Sequence, residues 1–176
     1  MATIWNLDPT HSEVSFKVKH LVITTVTGYF RVFEGTIETA EETDFSTAKV
    51  SFSADVASID TNQADRDAHL KAPDFFDAES YPKITFVSTG MQQKSDDEFV
   101  LNGDLTIRGV TLPVSFNVDF GGTVTDAFGN FKAGFEVNGK ISRKAFGLTW
   151  SGVTEAGAVV VSDEVKLQAS VQFAKQ

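Results

Sequence analysis

Apolar and polar side chains alternate at every second position through most of the chain. Val14, Phe16 and Val18 alternate with Glu13, Ser15 and Lys17, and Val50, Phe52, Ala54 and Val56 with Lys49, Ser51, Ser53 and Asp55. Phe99, Leu101, Leu105 and Ile107 share one parity against Asn102, Asp104, Thr106 and Arg108. The longest run sets Val110, Leu112, Val114, Phe116, Val118 and Phe120 against Thr111, Pro113, Ser115, Asn117 and Asp119. Phe131, Ala133, Phe135, Val137 and Ile141 repeat it opposite Lys132, Glu136 and Lys140, and Val159, Val161, Val165, Leu167, Ala169, Val171 and Phe173 form the last face. A period of two marks strands with one face buried, and the pattern predicts about eight long antiparallel ones.

The joints between these runs carry turn chemistry. Lys94-Ser95-Asp96-Asp97-Glu98 is a polar link, Arg108-Gly109 a tight one, and Gly121-Gly122 and Asp126 to Asn130 supply further turn residues. Sequential hairpins make a meander. About eight long strands in a meander close most readily as an up-and-down barrel, because closure removes exposed sheet edges; a two-sheet sandwich is the alternative. Three segments interrupt the alternation. Ser58 to Pro73 reads as a short helix with Thr61 or Asn62 as its cap, acidic residues in its first turns, Lys71 at its end and Pro73 as its stop. Asp74 to Pro82 reads as irregular or as one helical turn, and Ser142 to Gly147 as a short turn with a glycine stop.

Composition narrows the function classes. At 176 residues the chain is one domain, with enough length for a core that needs no covalent staples. Fifteen Lys and Arg stand against 24 Asp and Glu, a formal charge of −9, which argues against nucleic-acid and anionic-membrane partners. There is no cysteine, hence no disulfide, thiolate nucleophile or thiolate metal site. Phenylalanine is strongly over-used, 16 against 2 Trp and 2 Tyr; with no polar handle it suits a dry core or an apolar cavity. No apolar run is long enough for a membrane-spanning helix. The segment Met1 to Asp8 lacks a basic stretch and an apolar stretch, so it does not read as a secretory signal, and a cytoplasmic location is expected.

Catalytic constellations are weak. His11, His20 and His69 are far apart, with no metal-ligand spacing among them, so no metal and no cofactor is expected. His11 and Ser12 point to opposite faces if that stretch is extended, and no nucleophile-elbow motif is present; no enzyme activity is expected.

The ordered motifs of the chain resemble the YceI-like family, the polyisoprenoid-binding, lipocalin-like barrel proteins. Trp5 to Ser12 matches the opening W-x-x-D-x-x-H-S pattern. Phe16, His20-Leu21, Gly28-Tyr29-Phe30 and Phe33-Glu34-Gly35 follow. Ser58 to Thr61 and Arg66-Asp67-x-His69-Leu70 match the helical insertion; Asp74 to Asp77, Tyr81 to Phe86, Gly103 to Thr111 and Ile141 to Gly147 complete the series. Each motif is weak alone, but their order and spacing together are specific.

The resemblance implies one extended antiparallel barrel around a long apolar tunnel, a carrier of a long-chain apolar lipid (polyisoprenoid, isoprenoid quinone or fatty-acid or amide type), and a possible homodimer. Many members are periplasmic or secreted, which the start of this chain puts in doubt. The small residues Ala54, Ala133, Ala158, Ala169, Gly103 and Gly139 on the strands suit an unblocked bore. Under this reading Phe16, Phe30, Phe52, Phe86, Leu105, Phe116 and Phe135 line the tunnel from the strands. Arg66 and Leu70 come from the helix, and Phe75, Phe76 and Phe146 from the irregular segments. The alternative is a non-catalytic structural or stress-related barrel filled by its own side chains.

Several polar residues carry two expectations. Arg66 either clamps a phosphate or carbonyl head group or pins the helix to the wall through an ion pair. Asp8 and His11 either form a polar plug or a local turn in which Asp8 binds backbone groups near Thr10. His20 is expected to make structural hydrogen bonds beneath the Leu21-Val22 corner, Arg108 to be solvated at a hairpin tip, and Arg143 to hold the short turn at 142–147.

Overall fold

In the computed structural model, which describes residues 2–21, 23–148 and 161–176, all strands join one antiparallel sheet that closes on itself. The strands are β1 (Thr3–Leu7), β2 (Glu13–His20), β3 (Thr24–Phe30), β4 (Phe33–Thr39), β5 (Lys49–Asp55), β6 (Ile59–Asp60), β7 (Lys83–Gln93), β8 (Glu98–Ile107), β9 (Val110–Thr125), β10 (Phe131–Ser142) and β11 (Val161–Lys175), with helix α1 (Ala64–Lys71) between β6 and β7. The ring runs β1-β4-β5-β7-β8-β9-β10-β11 and returns to β1. The expected eight-stranded up-and-down barrel is therefore the observed fold. The sandwich alternative is excluded by the β1–β11 pairing, which leaves no second sheet. Val22, Ala158 and Val159 of the expected pattern lie outside the described residues.

The first three staves of the barrel are kinked. β1 and β2 lie on the same edge of β11, β1 beside Phe173–Lys175 and β2 beside the 161–170 half. Between them Asp8 and Pro9 start a 3-10 turn, Pro9–His11, because the Asp8 carboxylate accepts the Thr10 N–H at 3.1 Å and proline presets the first helical position. The ladder survives the kink: Asp8 N–H donates to the Gln172 carbonyl at 2.8 Å, and Gln172 N–H donates to Ser12 Oγ at 3.0 Å. β3 and β4 break at Arg31 and Val32, and β5 and β6 at a 3-10 turn, Val56–Ser58. The other five staves are continuous, joined where the turn residues lie. Arg108 and Gly109 both take positive φ, 50° and 74°, and make the two-residue hairpin whose twist matches the flanking strands.

Two local expectations are corrected. Gly121-Gly122 is not a turn. β9 runs straight through it, and Gly121 is the extra residue of a bulge between the pairs Phe120↔Phe135 and Gly122↔Gly134. The bulge reverses the parity beyond it, so Val124 faces solvent at 64% exposure. The helix begins at Ala64 with Gln63 as its cap, its side chain accepting the Arg66 N–H at 2.6 Å, and not at Thr61 or Asn62. Ile59–Asp60 are held as strand by β3, and the Thr61 amide and hydroxyl are both engaged by Asp67. The helix ends at Lys71, as Pro73 requires of the residue before it.

Outside the wall, Lys132 on β10 is almost covered by the β1–β2 turn, and its ammonium meets Asp8 Oδ2, with Asp126 Oδ2 at 3.7 Å. The Lys132 ammonium, then the Thr10 hydroxyl, hold the Asp8 carboxyl far below the usual carboxylate range, and Asp8 in turn raises Lys132. A carboxyl whose pKa is lowered on folding stabilises in full above its unfolded value, about pH 4, and the contribution disappears as pH falls through the lowered value. Asp8→Asn is expected to lower the thermal unfolding midpoint by several degrees at pH 6–8. The gap to the parent chain should narrow only below about pH 4. Calorimetry at pH 7, 4 and 2 checks this, and an equal gap at all three values refutes it.

Candidate functional site

The inward parity of the barrel is apolar all the way round. Leu105 pairs with Leu112, Leu101 with Phe116, Phe99 with Val118, Val118 with Val137, and Ile141 with Val165 across successive strands. These residues do not meet at the centre. Phe116, Val137, Ile141, Val165, Leu167 and Ala169 all point inward, yet each remains only partly buried. They face an internal cavity of about 400 Å³. That is the size at which pockets hold small apolar molecules.

Three glycines keep this hollow open. Gly28, Gly103 and Gly139 sit at inward positions, and a phenylalanine from the neighbouring strand lies over each. A Cβ on Gly28 would fall 2.2 Å from the Phe16 ring, on Gly103 2.4 Å from Phe86, and on Gly139 2.4 Å from Phe116. Missing side chains let the rings lie flat against the wall instead of standing across the bore. Phe16 pairs directly with Gly28 in the β2–β3 ladder.

The two ends differ. At the end carrying α1, the lining includes Lys19, His20, Arg66, His69 and Arg143, and Lys19 and Arg66 are exposed, so the cavity reaches the surface there. No carboxylate lines the cavity among the described residues, although the chain as a whole is acidic. The opposite end is stoppered by aromatic rings. Phe45 lies 5.4 Å from Trp5, 5.2 Å from Phe120 and 5.1 Å from Phe135, measured between ring centres, and Phe120 lies 5.3 Å from Phe135.

Of the expected lining residues, Phe16, Phe30, Phe52, Phe86, Leu105, Phe116 and Phe135 reach the cavity from the wall, and Arg66, Leu70, Phe75 and Phe76 from α1 and the turns after it. Phe146 does not. It is buried on the 3-10 turn Lys144–Phe146, off the strand alternation, and belongs to the buried core without reaching the cavity surface. Phe45 was not expected from the sequence. It stands alone in a polar loop, and its only signal is the Asp44-Phe45-Ser46 capping pattern around it.

The arginines act chiefly as joints. Arg66 donates through Nε to Thr61 Oγ1 at 2.8 Å and through Nη2 to the Thr61 carbonyl at 2.6 Å. The helix is thus pinned to the wall as expected, but through Thr61 and not through an ion pair, because Asp67 is itself turned onto Thr61. Arg143, 3% exposed, donates to the carbonyls of Leu148, Ser162 and Val161 and holds its turn. Arg108 is only half-exposed and is tied down: the left-handed turn aims it across the barrel end, where it donates to Gly147 O at 3.0 Å and Pro73 O at 2.8 Å. The corner after β2 is bonded through the His20 carbonyl, which accepts from Ile23 N–H, while the ring lines the cavity. Asp8 and His11 form the local turn and do not line the cavity; the His11 ring lies 2.9 Å from Asp8, and Ser12 Oγ is taken by Gln172. His11 is in the 3-10 turn, not in an extended stretch, and it still does not meet Ser12.

A model of the YceI-like domain matches residues 5–173. A UPF0312 protein of Staphylococcus epidermidis is 36% identical over 172 residues, covering 97% of both chains. Among solved structures, the YceI protein of Campylobacter jejuni is 30% identical, covers 90% of each chain and superposes with a TM-score of 0.77. BcnA of Burkholderia cenocepacia superposes at 0.81 with 23% identity, over 94% of this chain and 98% of its own. A polyisoprenoid-binding domain from Saccharophagus degradans superposes at 0.68 with 17% identity, over 98% of each chain.

If the flattened rings hold the bore open, Gly139→Val pushes Phe116 inward. The overpacking costs about 1–3 kcal/mol of stability. Binding of dodecanol, followed by titration calorimetry on the folded variant, is expected to weaken at least tenfold; unchanged binding contradicts the role assigned to Gly139.

Proposed function

Because this chain belongs to the YceI-like domain family, we propose that it binds and carries, or sequesters, a long apolar lipid of isoprenoid type inside the barrel. The observation that carries the reading is the hollow itself: inward apolar side chains left half-buried around about 400 Å³. A barrel filled by its own side chains, the alternative expected from sequence, would leave no such hollow behind its inward rings. The binding named for the Saccharophagus degradans domain supports the same ligand class.

Magnitudes assign the work between tail and head. Each buried CH₂ contributes about 0.8 kcal/mol, so one five-carbon unit gives on the order of 3–4 kcal/mol before association costs. A hydrogen bond to a charged group gives about 1.5–3 kcal/mol. A tail of two or more units outweighs the head. The basic lining near α1 favours a head that is neutral and accepting or anionic, and Arg66 and Arg143 already spend donors on Thr61 and on backbone carbonyls. The ligand is therefore selected by tail length and shape, with loose demands on the head. No catalytic step is proposed.

Organic extraction of the purified chain followed by mass spectrometry is expected to release a long-chain apolar molecule, or the emptied chain to take up geranylgeraniol. A clean extract with no uptake overturns the reading. Arg66→Ala is expected to weaken uptake by about ten- to a hundredfold without abolishing it, since one charged polar contact is lost. Phe116→Glu, which sets an unpaired carboxylate in the apolar wall, is expected to abolish it.

A further inference from the structure

The wall has a weak seam at the stoppered end, and its consequence rests on the carrier reading. The β5–β7 ladder runs from Asp55↔Lys83 to Ser51↔Val87 and stops. The next amide, Val50 N–H, donates to a side chain, Ser88 Oγ, at 2.7 Å. Just beyond, β7 bulges between Ser88 and Gly90, and a Cβ built on Gly90 would meet open space. An outer cleft of about 710 Å³ lies against this seam, and Ala48, Val50 and Met91 line both the cleft and the bore. Here no β5–β7 ladder continues the wall, and those side chains together with the turn at 45–47 separate the bore from the outside.

The β4–β5 connection, residues 40–48, covers the seam, and the bonds that hold it are mostly local. Asp44 accepts from Ser46 N–H at 3.1 Å, Thr47 Oγ1 donates to the Asp44 carbonyl at 3.3 Å, and Lys175 reaches Glu42 at 2.6 Å. Phe45, 2% exposed, is its deep anchor. Trp5 Nε1, on the ring that packs against Phe45, and Thr39 Oγ1, at the root of the connection, are buried without a hydrogen-bond partner. Unpaired buried polar atoms oppose the closed arrangement.

We propose that the 40–48 connection is a stopper and the β5–β7 seam a side exit. Phe45 sets the chain length that the shut bore holds, and a longer apolar chain displaces it and leaves between Val50 and Met91. From Val110 at the α1 end to Val118 at the floor, β9 rises about 27 Å, or roughly 20 Å along a bore tilted as in small barrels. Extended farnesol, with three five-carbon units, is shorter than this; solanesol, with nine, is longer.

The chain has no cysteine, so the double variant Val50→Cys/Ser88→Cys carries one possible cross-link, at the position that continues the register past Ser51↔Val87. Both alcohols are loaded separately and quantified by mass spectrometry after gel filtration. The oxidised variant is expected to retain farnesol as its reduced form does, and to retain at least tenfold less solanesol. Reduction restores solanesol and serves as the folding control. Independently, Phe45→Ala is expected to raise the solanesol-to-farnesol ratio about tenfold. Equal solanesol retention in the oxidised and reduced forms, with farnesol still bound, overturns the exit alone. Retention of neither alcohol by the parent chain overturns the carrier reading, and the exit with it.

Discussion

Closure of the sheet through β11 is the constraint on which the rest depends. This one strand, fifteen residues long, serves β10 along one edge and, along the other, first β2 and then β1. The eight-strand ring closes through β1 and β11, with only the two-residue β6 paired on one side, so the long strands must present one parity inward and the other to water. An eight-stranded ring is just wide enough either to fill or to hold one small molecule. The outcome here is decided by side-chain size at a few inward positions. Glycine at 28, 103 and 139 gives the aromatic rings a place to lie, and space remains.

Much of this was legible in the sequence because period-two alternation is a direct record of an inside and an outside. β8, β9 as far as Phe120, β10 and β11 could be read residue by residue. β3 was harder, for a physical reason: its inward set includes Gly28, so the position that matters most to the bore contributes no hydrophobic signal. The bulge at Gly121 was misread as a turn because two glycines mark either; only pairing with β10 distinguishes them. The polar residues were the least legible. Whether Arg108 meets water or Gly147 O depends on a crossing of the barrel end that no local pattern encodes. Phe45 was missed since one aromatic residue in a polar loop has no periodicity at all.

Charge is distributed against its average. The chain is acidic, yet the polar part of the cavity lining is basic. Acidic side chains populate the outward parity and the loops, where they favour solubility, and the cations gather where α1 and the 142–147 turn meet the wall. Local fields near a low-dielectric cavity follow the nearest groups and not the net charge, so the two facts are compatible. The same arginines brace the end of the barrel, which links the shape of the opening to its charge.

The wall is held by its own backbone ladder and by outward pairs such as Lys132 with Asp8, and it does not need a jigsaw at its centre. A residue in a packed core answers to all its neighbours at once. A residue facing this hollow answers to few. The half-buried bore positions, such as Val137, Ile141, Val165 and Leu167, can therefore drift among apolar types with little harm to folding, and one scaffold can be retuned to new guests by swaps that a solid domain of equal size would not tolerate.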